Sequence, residues 1–392
     1  PQLGAGASPQ PHKVHADWPG VDVVPDVAAL LGRADIDLVV IAAPNAQHHP
    51  LARDALAAGK HVVVDKPFTL DAAQARELAE LAQGKGRLLS VYQNRRFDSD
   101  FLTLQGLLAG GELGRPVYFE SHFDRFRPQV RERWREQPVP GAGLWVDLGA
   151  HLVDQAVQLF GRPDTLQLDT AALRDRALVE DYFHAVLRYE SGAHAPLRVV
   201  LHATTLAAHA APRYIVHGTR GSYVKQGVDP QEDALRIGGR PGGEGWGADA
   251  LDGELTVPAD DGRAVTRKVP TLPGNYVAYY AAVRDAILGL GPNPVPPEQG
   301  DELMELLGLE IRPGQRAEAS RRRYASTVFV AQPWPEIYAR DRWRRAEFER
   351  ATRSFEPTVA AYTASGYGTR VLPQVPVEER VAFVLRQLEA AG

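Results

Sequence analysis

Three short apolar runs without polar alternation constrain this chain more than any other feature: Leu38-Val39-Val40-Ile41-Ala42, Val62-Val63-Val64 after His61, and Leu88-Leu89-Ser90-Val91-Tyr92. A strand that is apolar at nearly every position must be covered on both faces, which is the condition of a parallel sheet flanked by helices. The intervening residues supply those helices. Residues 50–58 are rich in Ala and Leu and run into Gly59, where a helix end favours a left-handed residue. Thr69 or Asp71 can cap the next helix, with Gln74 at capping-box spacing from Asp71. Ala72, Ala75, Leu78, Ala79 and Ala82 then mark one helical face, closed by Gly84. Strand, helix, strand, helix, strand at this spacing predicts an α/β fold with a Rossmann-like parallel sheet.

Beyond about residue 97 the pattern changes. A helix over 101–108 leads into a half-alternating strand over 117–123, and a helix over 148–159 is closed by Gly161 and Pro163. Strand-like runs follow at Tyr182–Tyr189, 197–205 and 214–217, the last entering the turn Gly218-Thr219-Arg220-Gly221. Loop-rich residues 238–253 separate them from a helix over 276–288. This predicts an α+β domain whose mainly antiparallel, open-faced sheet carries helices on one side. Residues 312–326 read as a junction, in which Arg321-Arg322-Arg323 is a solvated stretch. After it come Val328-Phe329-Val330 and Pro333-Trp334-Pro335. A helical stretch follows with Phe348, Ala351, Phe355, Val359 and Tyr362 on one face, interrupted or restarted at Pro357, and a last helix runs over 377–388.

Composition removes whole classes of function. There is no Cys, which excludes disulfide scaffolds, thiolate metal sites, iron–sulfur clusters and thiol nucleophiles. With 44 Lys and Arg against 49 Asp and Glu, nothing favours a nucleic-acid partner through bulk charge. No apolar run approaches the ~18 residues that span a bilayer, so no membrane role is expected. No basic-then-apolar leader pattern is visible, and the expected location is cytoplasmic.

Two constellations can carry chemistry. Lys66 follows directly on a buried parallel strand, where doubly wound sheets bind their ligands, and Pro67 turns the chain so that the amine enters the crevice. On spacing alone it reads equally as an exposed strand-end lysine. The second lies in Gly141-Ala142-Gly143-Leu144-Trp145-Val146-Asp147-Leu148-Gly149-Ala150-His151. Asp147 and His151 stand four apart and share a helix face, and the glycines permit close approach of the backbone to a bound molecule. The same pair also reads as a capping aspartate with a satisfied core histidine. As half of a metal site it lacks a third ligand, so no metal is expected.

Together these segments resemble the glucose-fructose oxidoreductase/inositol dehydrogenase/MocA family of NAD(P)-dependent oxidoreductases. Asp65-Lys66-Pro67 resembles its Glu-Lys-Pro motif, and Gly141 through His151 its Gly-Gly-Gly-x-x-x-Asp-x-Gly-x-His motif. Pro44-Asn45-Ala46-Gln47-His48 is similar to its Pro-Asn-x-x-His loop, and Asn94-Arg95-Arg96-Phe97-Asp98 to its strand-end Asn-Arg-Arg segment. Val216-His217-Gly218-Thr219-Arg220-Gly221-Ser222 resembles the strand-turn of its second domain. The likeness spans about residues 13–309. It implies hydride transfer between NAD or NADP and a hydroxyl-bearing carbon of a sugar or polyol. Lys66 would serve as acid and base, His151 would assist, and Asp147 would orient the lysine and a hydroxyl. Pro44, Asn45, His48, Asp65 and Asn94 would line the nicotinamide side. Relatives of this kind pair through the open sheet, so a homo-oligomer is a further expectation.

Two departures stand out. The string Gly4-Ala5-Gly6-Ala7-Ser8-Pro9 lacks a preceding apolar strand and carries Pro9 where a phosphate loop wants its third glycine, so it is not read as that loop. The Rossmann domain is therefore expected to be N-terminally truncated. The tail, about 328–388, resembles instead the C-terminal part of AAA-like P-loop ATPases, yet no Gly-x-x-x-x-Gly-Lys-Ser/Thr is present to cradle a β/γ-phosphate. The expected division is 1–96 truncated dinucleotide-binding domain, 97–311 substrate and oligomerisation domain, 312–327 linker and 328–392 helical ATPase-like fragment. The alternative to an enzyme is a non-catalytic chimera or gene remnant joining the two kinds of piece.

Overall fold

The structure, a computed structural model, describes residues 5–7, 20–308, 327–332, 334, 335 and 368–389, with four isolated positions (352, 355, 359 and 363). It divides into two compact units, Pro1–Glu310 and Ile311–Gly392.

The first unit begins with strand β1 (Ala5–Ala7), paired in parallel with β2 (Asp22–Val24) and followed by the short helix α1 (Val27–Leu31). The Gly4–Pro9 string thus contributes a strand at its centre, while Gly4, Ser8 and Pro9 lie outside the described residues. The three apolar runs form β3 (Leu38–Ile41), β4 (His61–Asp65) and β5 (Leu89–Tyr92), a parallel sheet in the order β3-β4-β5. Val62, Val63 and Val64 are fully buried, as two-sided cover requires. Helix α2 (His48–Ala57) ends before Gly59 at φ +77°, and α3 (Ala72–Lys85) starts at Asp71, whose Oδ1 accepts from the Gln74 amide at 2.9 Å. Gly84 does not close α3. The helix runs one residue further, and Gly86, at φ +60°, takes the left-handed cap.

Helix α4 (Ser99–Ala109) leads to an eight-stranded sheet built from β6 (Pro116–His122), β7 (Thr165–Ala171), β8 (Tyr182–Tyr189), β9 (Leu197–Thr204), β10 (Tyr214–Gly218), β11 (Ser222–Lys225), β12 (Gly253–Pro258) and β13 (Ala264–Val269). Its order is β13-β12-β11-β10-β6-β9-β8-β7, and β6 and β9 form its one parallel pairing. Four strands were not foreseen. Two of them, β7 and β13, are the sheet edges, where side chains are mostly exposed and the alternation is brief. Helix α5 (Ala150–Phe160), preceded by a π-helical turn over Trp145–Gly149, packs on the sheet. Short α6 (Gln231–Arg236), α7 (Tyr276–Ile287) and α8 (Pro297–Leu306) complete the unit; α8, also unforeseen, packs against α3 and α5.

In the second unit β14 (Thr327–Ala331) pairs in parallel with β15 (Gly368–Leu372), and α9 (Val377–Glu389) follows. The tail therefore holds a strand pair besides its helix. Phe355 and Val359 are helical and half-buried, whereas Phe348, Ala351 and Tyr362 lie outside the described residues.

One buried cation fixes how α5 sits on the sheet. Arg213 donates to Asp100 Oδ2 at 2.9 Å, Ser121 Oγ at 2.8 Å, the His122 carbonyl at 3.0 Å and Gln155 Oε1 of α5 at 2.8 Å. Arg213 and Asp100 are both fully buried, so deleting one leaves the other charge without compensation. The Arg213→Ala variant is expected to lose about 3–5 kcal/mol of stability in urea denaturation. A loss within the range of an ordinary surface substitution would contradict this reading.

Candidate active site

The carboxyl ends of β3, β4 and β5 form one rim, continued by Pro44, by Asp65-Lys66-Pro67 and by Gln93-Asn94 respectively. Helix α5 is tied to this rim. Arg96 makes a bidentate pair with Asp154 at 2.8 and 2.6 Å, and Gln155 Nε2 donates to the Arg95 carbonyl at 2.9 Å. With α5 held there, the π turn before it meets the end of β4. Lys66 Nζ donates to Asp147 Oδ1 at 2.9 Å and to the Asp147 carbonyl at 2.5 Å.

Asp147 sits in the π turn rather than in the regular helix that the sequence suggests, and such turns recur at functional sites. The motif glycines explain the local geometry, though not in the way first expected. A Cβ on Gly149 would lie 2.3 Å from the Trp145 ring, and a Cβ on Gly143 (φ +101°) would lie 2.0 Å from the Glu180 carboxylate. These glycines make room for side chains of the protein itself, not for a bound molecule. Trp145 is pinned further by its Nε1, which donates to the Leu307 carbonyl at 3.0 Å, and by an edge contact with Phe183.

Electrostatics separate the two motif residues. Burial alone would raise the Asp147 carboxyl, but the charge and hydrogen bond of Lys66, then Arg135 and Arg125, hold it well below the usual carboxylate range. Asp147 is therefore an anion at any working pH. His151 is buried, and that burial together with Lys66, Arg95, Arg125 and Arg213 pushes its imidazole well below the ordinary histidine value. It is neutral, and its buried Nδ1 has no hydrogen-bond partner among the described residues.

The other expected residues divide. Asp65 accepts the Lys66 amide through Oδ1 at 2.8 Å, Pro44 is exposed and Asn94 is buried, all at the strand ends. Asn45 donates to the Gly141 carbonyl at 2.9 Å and thereby ties the β3 loop to the glycine motif. His48 is buried, and its ring nitrogens face the Pro67 and Ala43 carbonyls at 2.8 and 2.9 Å. It braces the turn that carries Lys66. Arg125 and Arg135 were missed, although the run of Arg125, Arg127, Arg131, Arg133 and Arg135 just before the glycine motif was a usable signal. Arg135 Nε lies 3.5 Å from Asp147 Oδ1.

Two family models cover most of the first unit: an oxidoreductase family's NAD-binding Rossmann fold over residues 5–93 and its C-terminal alpha/beta domain over 105–309. Escherichia coli YdgJ, described as an uncharacterized oxidoreductase, is 56% identical over 310 residues, 79% of this chain and 88% of that protein. The chain belongs to the Gfo/Idh/MocA family of oxidoreductases. The Bacillus subtilis protein named scyllo-inositol 2-dehydrogenase (NADP(+)) IolW is 35% identical over 75% of this chain and 81% of its own. The solved structure of YPO2259 from Yersinia pestis is 56% identical, covers 79% of this chain and 86% of that one, and superposes with a TM-score of 0.74. Residues 302–380 also match a family model described as an AAA domain. Among the described residues no helix is long and apolar enough to cross a membrane.

As a Gfo/Idh/MocA member the chain is an NAD(P)-dependent oxidoreductase. The rim fits the nicotinamide end of such a cofactor. It carries the Lys66 amine and a buried polar atom without a partner among the described residues, Gln93 Oε1; His151 Nδ1, on α5, is a second such atom that a bound molecule would satisfy.

A neutral His151 makes a direct prediction. Its imidazole resonance, assigned by its loss in His151→Gln, is expected to stay unshifted from pH 8 to pH 5.5, a range in which a free histidine titrates near 6.5. The unfolded chain takes up this proton and the folded chain refuses it. His151 therefore contributes stability that is present above about pH 6.5 and lost as pH falls. Titration of that resonance near 6.5 would contradict the burial argument.

Proposed function

We propose that this chain moves a hydride between a nicotinamide cofactor and a hydroxyl-bearing carbon of a polyol or sugar, with Lys66 as acid and base. The observation that carries the reading is the Lys66–Asp147 contact at the carboxyl end of β4, with Asp147 one turn before His151, whose Nδ1 has no partner among the described residues. Bound at the rim, the cofactor supplies or accepts the hydride. The carbon that gains or loses a hydride bears an oxygen whose proton must move in the same step. In carbonyl reduction the Lys66 ammonium donates that proton, and in alcohol oxidation the neutral amine takes it. Asp147, fixed as an anion, aims the amine and accepts a substrate hydroxyl. His151 offers a neutral nitrogen to the reacting oxygen or its neighbour, and the surrounding cations keep it from storing the proton. Asp65, Asn94 and Pro44 would line the nicotinamide side, while Asn45 and His48 would act by holding the turn.

The name of the Bacillus subtilis relative, which specifies scyllo-inositol and NADP(+), supports a cyclic polyol as the first substrate to test. The reading includes a cytoplasmic enzyme without nucleic-acid or membrane partners that pairs with a second copy through the open sheet face. The division into 1–96, 97–311, a linker over 312–327 and an ATPase-like fragment over 328–392 is part of it; the AAA match over 302–380 supports a tail of separate origin.

The test is nicotinamide reduction across a polyol panel that includes scyllo-inositol, comparing the unmodified chain with Lys66→Ala. The variant is expected to lose about 10²–10⁴-fold in kcat/KM, the usual weight of a positioned acid or base, with cofactor affinity retained. Equal rates would remove the proposed role of Lys66.

A further inference from the structure

On the sheet of the second domain, side chains alternate between two faces. Phe119, Ser121 and Phe123 point to the face covered by α5, where Arg213 reaches Ser121 and lies over Phe123. Tyr118, Glu120 and His122 point to the other face, and so does His202 of β9. The parallel β6–β9 pairing places His122 directly opposite His202, with ring centroids 5.1 Å apart. Asp124, two residues beyond His122, brings a nearly buried carboxylate between them.

We propose that His122, Asp124 and His202 bind one divalent transition-metal ion of the Zn²⁺ class. Asp124 Oδ1 lies 2.9 Å from His202 Nδ1, and Oδ2 lies 3.5 Å from His122 Nδ1. One ligand atom from each of the three residues fits within 4.8 Å of the others. A tetrahedral ion with bonds of about 2.0–2.2 Å holds its ligands roughly 3.3–3.5 Å apart, so only small shifts would close the site.

The partners of His122 point the same way. Its Nε2 donates to Glu120 Oε1 at 2.6 Å, and the other oxygen of Glu120 accepts from the Tyr118 hydroxyl at 2.6 Å. A carboxylate holding the far N–H of an imidazole leaves the near nitrogen as a bare lone pair aimed at the ion, the usual arrangement behind metal-bound histidines. His122 Nδ1 is buried and without a hydrogen-bond partner among the described residues, since 3.5 Å is too long for a hydrogen bond to Asp124, so it is the atom of this ring that an ion would take. Two imidazoles and one carboxylate suit Zn²⁺, Co²⁺, Ni²⁺ or Fe²⁺ rather than Mg²⁺ or Ca²⁺, and a water would complete the shell. All three ligands come from one chain, so binding needs no second copy. The sequence concealed the site because Asp124, just beyond β6, and His202 of β9 stand 78 residues apart. The proposed hydride-transfer step uses none of these residues.

Untagged protein titrated with Co²⁺ is expected to bind one equivalent per chain, with the visible absorption of a four-coordinate ion, and to release it to Zn²⁺. His202→Ala and Asp124→Asn should each weaken Zn²⁺ affinity at least about 100-fold in calorimetric titration, and Glu120→Gln about 10–100-fold through the outer carboxylate. Circular dichroism verifies that the variants are folded, and the titration of the unmodified chain stands without them. Absence of a saturable equivalent in the unmodified chain would overturn the proposal. So would binding that survives His202→Ala and Asp124→Asn, which would belong to surface histidines.

Discussion

The candidate site depends on one contact between segments 81 residues apart in the chain: the ammonium of Lys66 against the carboxylate and the carbonyl of Asp147. The strand that delivers Lys66 is buried at Val62, Val63 and Val64, and the turn that delivers Asp147 is widened into a π conformation with Trp145 seated over Gly149. Each partner makes the other's charge tolerable in a poorly solvated place. A charged amine needs an anion beside it, and the anion is kept ionised by that amine and by the arginines around it. The same cations keep His151 neutral. Asp147 and His151 are thus given opposite electrical states by their surroundings, so that one small site holds an anion and a neutral ring beside the Lys66 amine.

The rest of the first unit keeps those groups in register. Arg213 joins α4, β6 and α5 in one buried network, and Arg96 with Asp154 joins the end of β5 to α5. His48 and Asn45 act one step further out, fastening the β3 loop to the turn after Lys66 and to the glycine motif.

Much of this was legible in the sequence because burial on two sides writes itself as continuous apolar runs. β3, β4 and β5 are such runs, and β8 shows the clean alternation of a strand with one covered face. Edge strands write less: β7 and β13 are mostly exposed, and the alternation of Leu166 and Leu168 in β7 is too brief to mark a strand. The meeting of Lys66 with Asp147 follows from no local rule; only the family resemblance of the two motifs set these residues side by side. No local rule gave the roles of the glycines, His48 or Arg135, because each is defined by a neighbour distant in sequence. The His122, Asp124 and His202 cluster was invisible for the same reason: strand register, not spacing, brings it together.

The central claim is that the amine of Lys66 moves the proton that accompanies hydride transfer. Chemical rescue tests it most directly. Small primary amines added to the Lys66→Ala variant, assayed on the polyol that the unmodified chain oxidises fastest, should restore turnover in proportion to amine concentration. Among amines of similar size, the restored rate should rise with basicity. A variant that binds cofactor yet stays equally inactive at every amine concentration, whatever the amine's size, would contradict the account.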